Sequence, residues 1–569
     1  MHKRIIQMTG KKPNISTIHS FAANFIREYP PDGFTNNFHI VEERQQYNIV
    51  KNLVKKYKID KHPRYIIEKL TLIRNLRDSG LLKQEGLEKF YKDYFNHLKS
   101  NNSIDFDGLL SLCLVTLENN QNALKSYKLK FKYILVDEFQ DISPIQYKIL
   151  RLLAGGYNNL FCVGDFDQSI YRFRGADVNI MLNLEKDFHD VKRYYLEQNY
   201  RSTKQIVKAA NNLISYNINR QDKPHWSDNY EGDAPSIIKC KNVNSEASLI
   251  ASKIKEEVKK GKNYESFAIL FRINALSQAI EIALSNQNIP YQIIGGVGYF
   301  QRREIQDIIC FLKLAENPDD TEAYSRAKLV LSNVSPDFKE TFLNDLLDNL
   351  KKQVQLQDAY KLLMQETGYL DYLKLDISSE GERRIENVES LDMLIDRFPN
   401  TSNSLSEFLR YIEKTNVDID NDDSVKLLTF HSAKGLEFDT VFIFGATKGL
   451  IPHYKAELPQ AVEEERRMLY VAITRASNKL FITYPQFNGK ISVDKSPFLN
   501  EINKLNIVSG EISGLHVATD NVIEHNKWGK GKVISIYKNH KNEEEIKVLF
   551  NDKGLKTLLL KYAPIKVIK

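Results

Sequence analysis

The chain has 569 residues, 42% of them hydrophobic and 27% charged, with 25 Gly and 16 Pro. That length exceeds one hydrophobic core and predicts roughly three or four domains, and the composition excludes a disordered or fibrous chain. A net charge of +7 mildly favours a nucleic-acid partner and does not identify one.

The opening MHKRIIQMTGKK lacks the apolar core of a signal peptide. No apolar run approaches the ~20 residues of a membrane span, so no membrane partner is expected. Residues 32–128, rich in Lys, Leu, Tyr and Asn, read as helical. Strand-length apolar runs follow: YILVDEF at 133–139, NLFCVGD at 159–165, SFAILFR at 266–272, VKLLTF at 425–430, TVFIFGA at 440–446 and KLFITY at 479–484. Runs apolar on both faces predict buried parallel strands and hence α/β domains. Residues 300–422 read as a second helical stretch, with an acidic patch DIDNDD at 418–423. From Gly514 the pattern changes to short strands joined by Gly-containing turns, the signature of a small barrel. The four cysteines, Cys113, Cys162, Cys240 and Cys310, form no CxxC pair and read as buried thiols in a reducing cytoplasm.

The chemistry starts at YILVDEFQD, where an apolar strand ends in Asp137-Glu138. Ligands of α/β sheets collect at the carboxyl ends of strands. The first acid there can bind Mg²⁺ and the second can orient and deprotonate an attacking water. The next strand leads into VGDFDQSIYRFRGAD (163–177). Gln168 can sense a terminal phosphate, and Phe173-Arg174 joins an aromatic face to a cation, a pairing suited to a stacked base beside a phosphate. LEQNYRST (196–203) repeats the theme in Tyr200-Arg201. LLTFHSAKGLEFDTVFIFG (427–445) and EEERRMLYVAITRAS (463–477) come later. Any one aromatic–arginine pair is most often packing plus surface charge. Five such runs in this order are highly specific.

Together they resemble the UvrD/Rep/PcrA family of superfamily-one DNA helicases, over nearly the whole chain from STIHSF at 16–21. The resemblance implies two RecA-like α/β cores with helical insertions and a C-terminal Tudor-like β-barrel. It implies a remnant of the first core at 1–31, its insertion at 32–128 and its continuation at 129–195. The second core would span 196–299, its insertion 300–422, its continuation 423–505, and the barrel 514–569. The implied activity is ATP-dependent translocation on single-stranded DNA with 3′→5′ unwinding in repair or replication, in the cytoplasm on the nucleoid. ATP and Mg²⁺ are the implied cofactors. Single-stranded and forked DNA are the implied substrates, and RNA polymerase is the partner the resemblance implies for the barrel.

Site roles carried over from the resemblance are Asp137 for Mg²⁺ and Glu138 as catalytic base. Gln168 and Arg201 would contact the γ-phosphate, Tyr200 would stack on adenine, Glu437 would hold the ribose and Arg475 would be the arginine finger. Thr17, His19, Phe173, Arg174, Phe271, Asn274, His431, His453 and Phe487 would contact DNA. Departures are Phe173, where the family usually has Trp, and a short second insertion. No nuclease-like acidic cluster follows the second core.

A phosphate loop GxxxxGK[ST] is expected before STIHSF, and none occurs in the sequence. Thr9-Gly10-Lys11-Lys12 lacks the upstream glycine and the hydroxyl. MHKRI resembles a helix that in the family follows the first two core strands. The expectation is therefore an N-terminally truncated helicase, inactive alone. The alternatives are the larger half of a split enzyme and a non-catalytic DNA- or polymerase-binding protein. In the tail, Gly529-Lys530-Gly531 is expected to form a hairpin turn. Trp528, beside Lys527, Lys530 and Lys532, is expected either to fill the barrel or to anchor a partner.

Overall fold

The apolar runs read from the sequence become strands, and the alternation within each decides which face is covered. The computed structural model describes residues 2–11, 13–76, 86–221, 223–296, 298–335, 338–353, 355–376, 379–398, 404–415, 423–488, 491–502, 522–525, 529–538, 544–550, 554–559 and 565–567. They form two units, Met1–Ile507 and Val508–Lys569.

The first helical stretch is not purely helical. Two short strands, β1 (His39–Val41) and β2 (Ser103–Asp105), pair in parallel within it. Asp105 ends β2 fully buried and accepts from Arg74 (2.5 Å), the Tyr94 hydroxyl (2.8 Å), Gln46 (3.1 Å) and the Gly108 amide (3.0 Å). One carboxylate thus ties together four helices of the insertion, a tertiary constraint that helix propensity does not encode.

β3 (Ile134–Val136) and β4 (Leu160–Cys162) pair in parallel, with Leu135 opposite Phe161. Ile134, Val136 and Cys162 turn to the covered face, against Phe139, Ile142, Tyr147 and Leu150. Leu135 and Phe161 turn the other way and are 74% and 58% exposed. The helix between the strands, Pro144–Ala154, begins where its caps dictate. Ser143 and Gln146 form a capping box, and Pro144 occupies the first turn.

The second core is a larger sheet of β5 (Ser236–Asn242), β6 (Phe267–Phe271), β7 (Tyr291–Ile293), β8 (Val425–Thr429), β9 (Phe438–Phe444), β10 (Ala476–Asn488) and β11 (Ile491–Ser492). Its parallel order is β5-β10-β9-β6-β8-β7, with β11 folding back antiparallel on β10. Every residue of β6 is buried, as a strand covered by helices on both faces requires. β5 and β7 are not legible as apolar runs, because SIIKCKN and YQI place Lys239, Lys241 and Gln292 at exposed positions.

Between β7 and β8 the chain leaves the sheet and forms helices with their own core, centred on Tyr299, Phe311, Leu343, Leu363 and Phe408. Of the acidic patch, only Asp423 lies within the described residues.

The C-terminal unit is an antiparallel five-stranded sheet of β12 (Val522–His525), β13 (Gly529–Lys538), β14 (Glu544–Phe550), β15 (Gly554–Leu559) and β16 (Ile565–Val567), in the order β15-β14-β13-β12-β16. Ile523, Val533, Ile546, Val548, Phe550 and Leu558 fill its core. The expected turn at Gly529-Lys530-Gly531 is corrected. All three residues lie in β13, and Gly531 pairs with Ile523. A Cβ at Gly531 would sit 2.6 Å from the Phe550 ring, so close packing selects that glycine. Lys527 and Trp528 lie outside the described residues. No helix among the described residues is long and apolar enough to cross a membrane.

Candidate nucleotide site and nucleic-acid groove

β3 delivers Asp137 and Glu138 to its carboxyl end, both exposed. Glu138 adopts a left-handed backbone (φ 52°), uncommon outside glycine. Its carboxylate accepts from Gln140 Nε2 (2.5 Å), and the fully buried Gln140 also accepts from the Asp165 amide (2.9 Å). Gly164, after β4, is where that crossing needs space. A Cβ there would lie 2.4 Å from Gln140 Oε1. Gln168 follows in a short turn and donates to Asp165 Oδ2 (2.9 Å).

The second core grips this turn. Lys223 donates to Asp165 (2.6 Å), and Arg220 makes a two-pronged pair with the buried Asp167 (3.1 and 2.9 Å). From the turn after β8, Lys434 donates to Asp141 Oδ2 (2.5 Å) and to the Gln168 carbonyl (3.0 Å), and lies 3.3 Å from Glu138 Oε2. Burial pushes the Asp141 carboxyl up, against the opposing pull of Lys434.

On the second core's side, Tyr200 is 79% exposed, and its hydroxyl donates to Gln198 (2.7 Å). Arg201 pairs with Glu437 (2.7 Å) and donates to the Thr474 carbonyl (3.0 Å). Arg475 is buried. Its guanidinium donates to the Val471 and Leu436 carbonyls (3.0 and 3.1 Å) and to the Thr474 hydroxyl (3.0 Å). Burial, with Arg201 nearby, lowers it to about 10. In this state three of its N–H groups are used inside its own core.

No cluster of three or more His, Cys, Asp or Glu suited to a metal occurs among the described residues. Mg²⁺ in nucleotide sites needs only one or two carboxylates, completed by water and phosphate oxygens. Asp137 and Glu138 are hard oxygen donors of that kind and fit it.

The groove side centres on Phe173, 66% exposed, with His431 edge-on at 5.4 Å and Tyr171 at 6.0 Å. Arg174 lies over both Phe173 (5.5 Å) and Tyr171 (5.2 Å). His431 is lowered to about 4 by burial and then by Arg272 and Arg174, and its Nε2 is buried without a partner. Arg272 forks onto Glu465, which accepts from the His453 amide (3.1 Å).

The remaining expected contacts are spread out. Thr17 caps the helix Ile18–Glu28 by accepting from the Ser20 amide. His19 stacks on Phe106 at 3.9 Å, and burial lowers it to about 4. Asn274 starts a turn after β6, and its carbonyl accepts from Arg302 (3.0 Å). Phe487 sits half-buried near the end of β10, opposite Ser492 and Asn242. Phe271 is a correction. At 1% exposure it is packed in the second core, because it falls on the last position of a strand covered on both faces. Its ring has no open face for a base.

The sequence reading does not single out Lys223, Arg220, Arg272 or Lys434. Arg272 and Lys434 stand inside quoted runs, but only the fold gives them partners.

A chain with two α/β cores, each carrying a helical insertion, and an acidic strand end met by a lysine of the second core has the build of a nucleic-acid motor. Comparison narrows the class. Residues 1–189 match the UvrD/REP helicase N-terminal domain, and residues 194–371 and 356–486 match the UvrD-like helicase C-terminal domain. Residues 520–567 match the PcrA/UvrD tudor domain. The ATP-dependent DNA helicase PcrA of Staphylococcus epidermidis is 30% identical, over 99% of this chain and 90% of that one. Those of Bacillus subtilis strain 168 and Leuconostoc citreum are each 30% identical, over 97% of this chain and 88% of theirs. A solved C-terminal domain of a possible Lactobacillus DNA helicase overlaps at a TM-score of 0.25 and 15% identity, over 55% of this chain and 99% of that one, which adds nothing to the assignment. The chain belongs to the UvrD/PcrA family of ATP-dependent DNA helicases.

Proposed function

We propose that this chain is the motor body of a 3′→5′ single-stranded DNA translocase and helicase of DNA repair or replication, working on the nucleoid in the cytoplasm. The observation that carries this reading is the joining of two sites by one turn of the second core. Lys434 pairs with Glu138 after β3 (3.3 Å), and three residues before it His431 meets the exposed Phe173 ring (5.4 Å).

Asp137 would hold Mg²⁺, which supplies charge neutralisation for the phosphates. Glu138 orients the attacking water and takes its proton; its carboxylate is held by Gln140 and Lys434. Gln168, held by Asp165, reads the terminal phosphate. Tyr200 offers an exposed ring for the base, and Arg201 and Glu437 meet phosphate and ribose. Arg475 is the finger. It has to leave its backbone carbonyls to reach a phosphate, so closure of the cores and its release go together. In the groove, Phe173 stacks on bases and Arg174 meets the backbone. His431 is neutral at pH 7, so it contributes a hydrogen bond rather than charge.

The 569 residues hold no GxxxxGK[ST] loop to cradle the β- and γ-phosphates. We therefore propose that this chain by itself hydrolyses ATP negligibly, because loss of such electrostatic preorganisation costs orders of magnitude. The test is DNA-stimulated ATPase of the pure chain, then of the chain with a polypeptide carrying the family's phosphate-loop segment. Robust hydrolysis by the pure chain, abolished by Glu138→Gln, refutes the inactivity. If the supplied segment restores turnover, Arg475→Ala is expected to lower it about 10³-fold, and a near-normal rate removes Arg475 from the finger role.

The exposed Lys530 and Lys532 of the C-terminal unit support a second site, for a protein partner such as RNA polymerase.

A further inference from the structure

The turn 430–435 touches both halves of the cleft. It is locked to the sheet: the Phe430 amide donates to the Phe271 carbonyl (3.1 Å), Ala433 to Thr429 (3.0 Å) and Lys434 to His431 (3.3 Å). The Ser432 amide donates to Thr429 Oγ1 (3.2 Å). Gly435, at φ +83°, ends the turn in a conformation that favours glycine. So short and bonded a segment moves as one piece.

Its two reporting side chains are three residues apart. His431 meets the Phe173 ring edge-on at 5.4 Å. Lys434 is nearly buried; its ammonium donates to Asp141 and to the Gln168 carbonyl and pairs with Glu138 at 3.3 Å. Its ammonium also lies 5.2 Å from the Tyr171 ring, which neighbours Phe173. Asp141 Oδ1 is buried without a partner, so Lys434 is the cation that makes this carboxylate tolerable there.

We propose that Lys434 is a positioning residue that couples single-stranded DNA in the Phe173–His431 groove to the placement of Glu138. The inference rests on the proposed roles of Glu138 and of that groove. With the groove empty, Lys434 neutralises Glu138 and Asp141 and clamps the 138–142 turn. A base stacked on Phe173 presses on His431, the rigid turn shifts, and Lys434 withdraws from the carboxylates. Glu138 is then released from the ion pair that holds its carboxylate and can take up the position the attacking water requires. Lys434 touches no reacting atom. It acts through Glu138.

Hydrogen–deuterium exchange of the full chain, with and without an oligothymidylate, tests this without nucleotide. The amides of Phe139, Asp141 and Ile142 are bonded in the clamped turn and report its opening. In the wild type, the oligonucleotide is expected to protect 171–174 and 430–433. It is expected to speed exchange at 138–142 at least about threefold, as local opening does. Lys434→Met is expected to exchange fast at 138–142 without DNA and to show no further response. It should bind the oligonucleotide at least as tightly, since coupling is reciprocal. Lys434→Arg is expected to restore the response. Asp141→Asn, which weakens the clamp from the other side, should reduce it and serves if Lys434→Met does not fold. Protection at 171–174 with no change at 138–142 overturns the coupling alone, as does a full response in Lys434→Met. No protection at 171–174 and 430–433 overturns the groove and the coupling together.

Discussion

Phe173 shows what one residue carries. Two thirds of its surface is exposed, yet His431, Tyr171 and Arg174 fix its ring. The role proposed for an aromatic held open this way is a stacking platform, and stacking is worth about 1–3 kcal/mol per base. Phe173→Ala should therefore weaken binding of a short single-stranded oligonucleotide by that amount, read by fluorescence anisotropy. Affinity of the wild type should fall with salt through counterion release. Unchanged affinity in the alanine variant would mean that the ring only packs against its neighbours. Phe487→Ala is the companion test, and its half-buried place on β10 makes the outcome decisive for that position. Phe271 already shows the limit of motif matching. The residue type fitted, but a strand covered on both faces took the ring into the core.

At the scale of elements, the second core's sheet is tied at its carboxyl ends by Glu246. Its carboxyl is fully buried near the start of the helix Val243–Lys259. One oxygen accepts from the Gly445 amide (2.8 Å) after β9 and from the Thr483 hydroxyl (2.6 Å) on β10. The other oxygen has no partner. Burial pushes this group up to about 8, although the two hydrogen bonds pull the other way. In the unfolded chain a glutamate titrates near about 4.3. Between those values the folded state holds a proton that the unfolded state has released, so this site loses stability as pH rises through that window. Urea unfolding of the wild type against Glu246→Gln, from pH 5 to 8, should show the wild type declining relative to the variant. The expected slope is up to about 1.4 kcal/mol per pH unit. Parallel profiles would mean that the carboxyl stays ionised in the fold.

At the scale of the molecule, residues 508–569 form a unit with its own core of Ile523, Val533, Ile546, Val548, Phe550 and Leu558. A stretch expressed as 510–569 should give a dispersed amide spectrum. Gly531→Val should collapse that spectrum, because its side chain would meet Phe550 and Val548. Retention of RNA polymerase on the isolated unit, lost with Lys530→Glu, would support the proposed partner. A dispersed spectrum with no polymerase retained keeps the fold and discards the partner.

How much was legible from the chain follows from range. The strands at 134–136, 160–162, 267–271, 425–429, 438–444 and 476–488 could be read because hydrophobicity along a covered strand is a local pattern. The family and the order of its motifs could be read for a similar reason: Asp137-Glu138, Tyr200-Arg201 and Arg475 each stand in a run of fixed spacing. β1 and β2 could not, since they depend on partners tens of residues away, and the in-strand place of Gly531 rests on its pairing with Ile523 and Phe550. The same holds for the site's wiring. The sequence by itself determined which residues can do the chemistry. Only the tertiary structure decided that Lys434 sits on the acids, that Arg475 is held by its own core, and that Phe271 is closed to solvent. Those facts arise from distances across a cleft and from burial, and neither is a property of neighbouring residues in the chain.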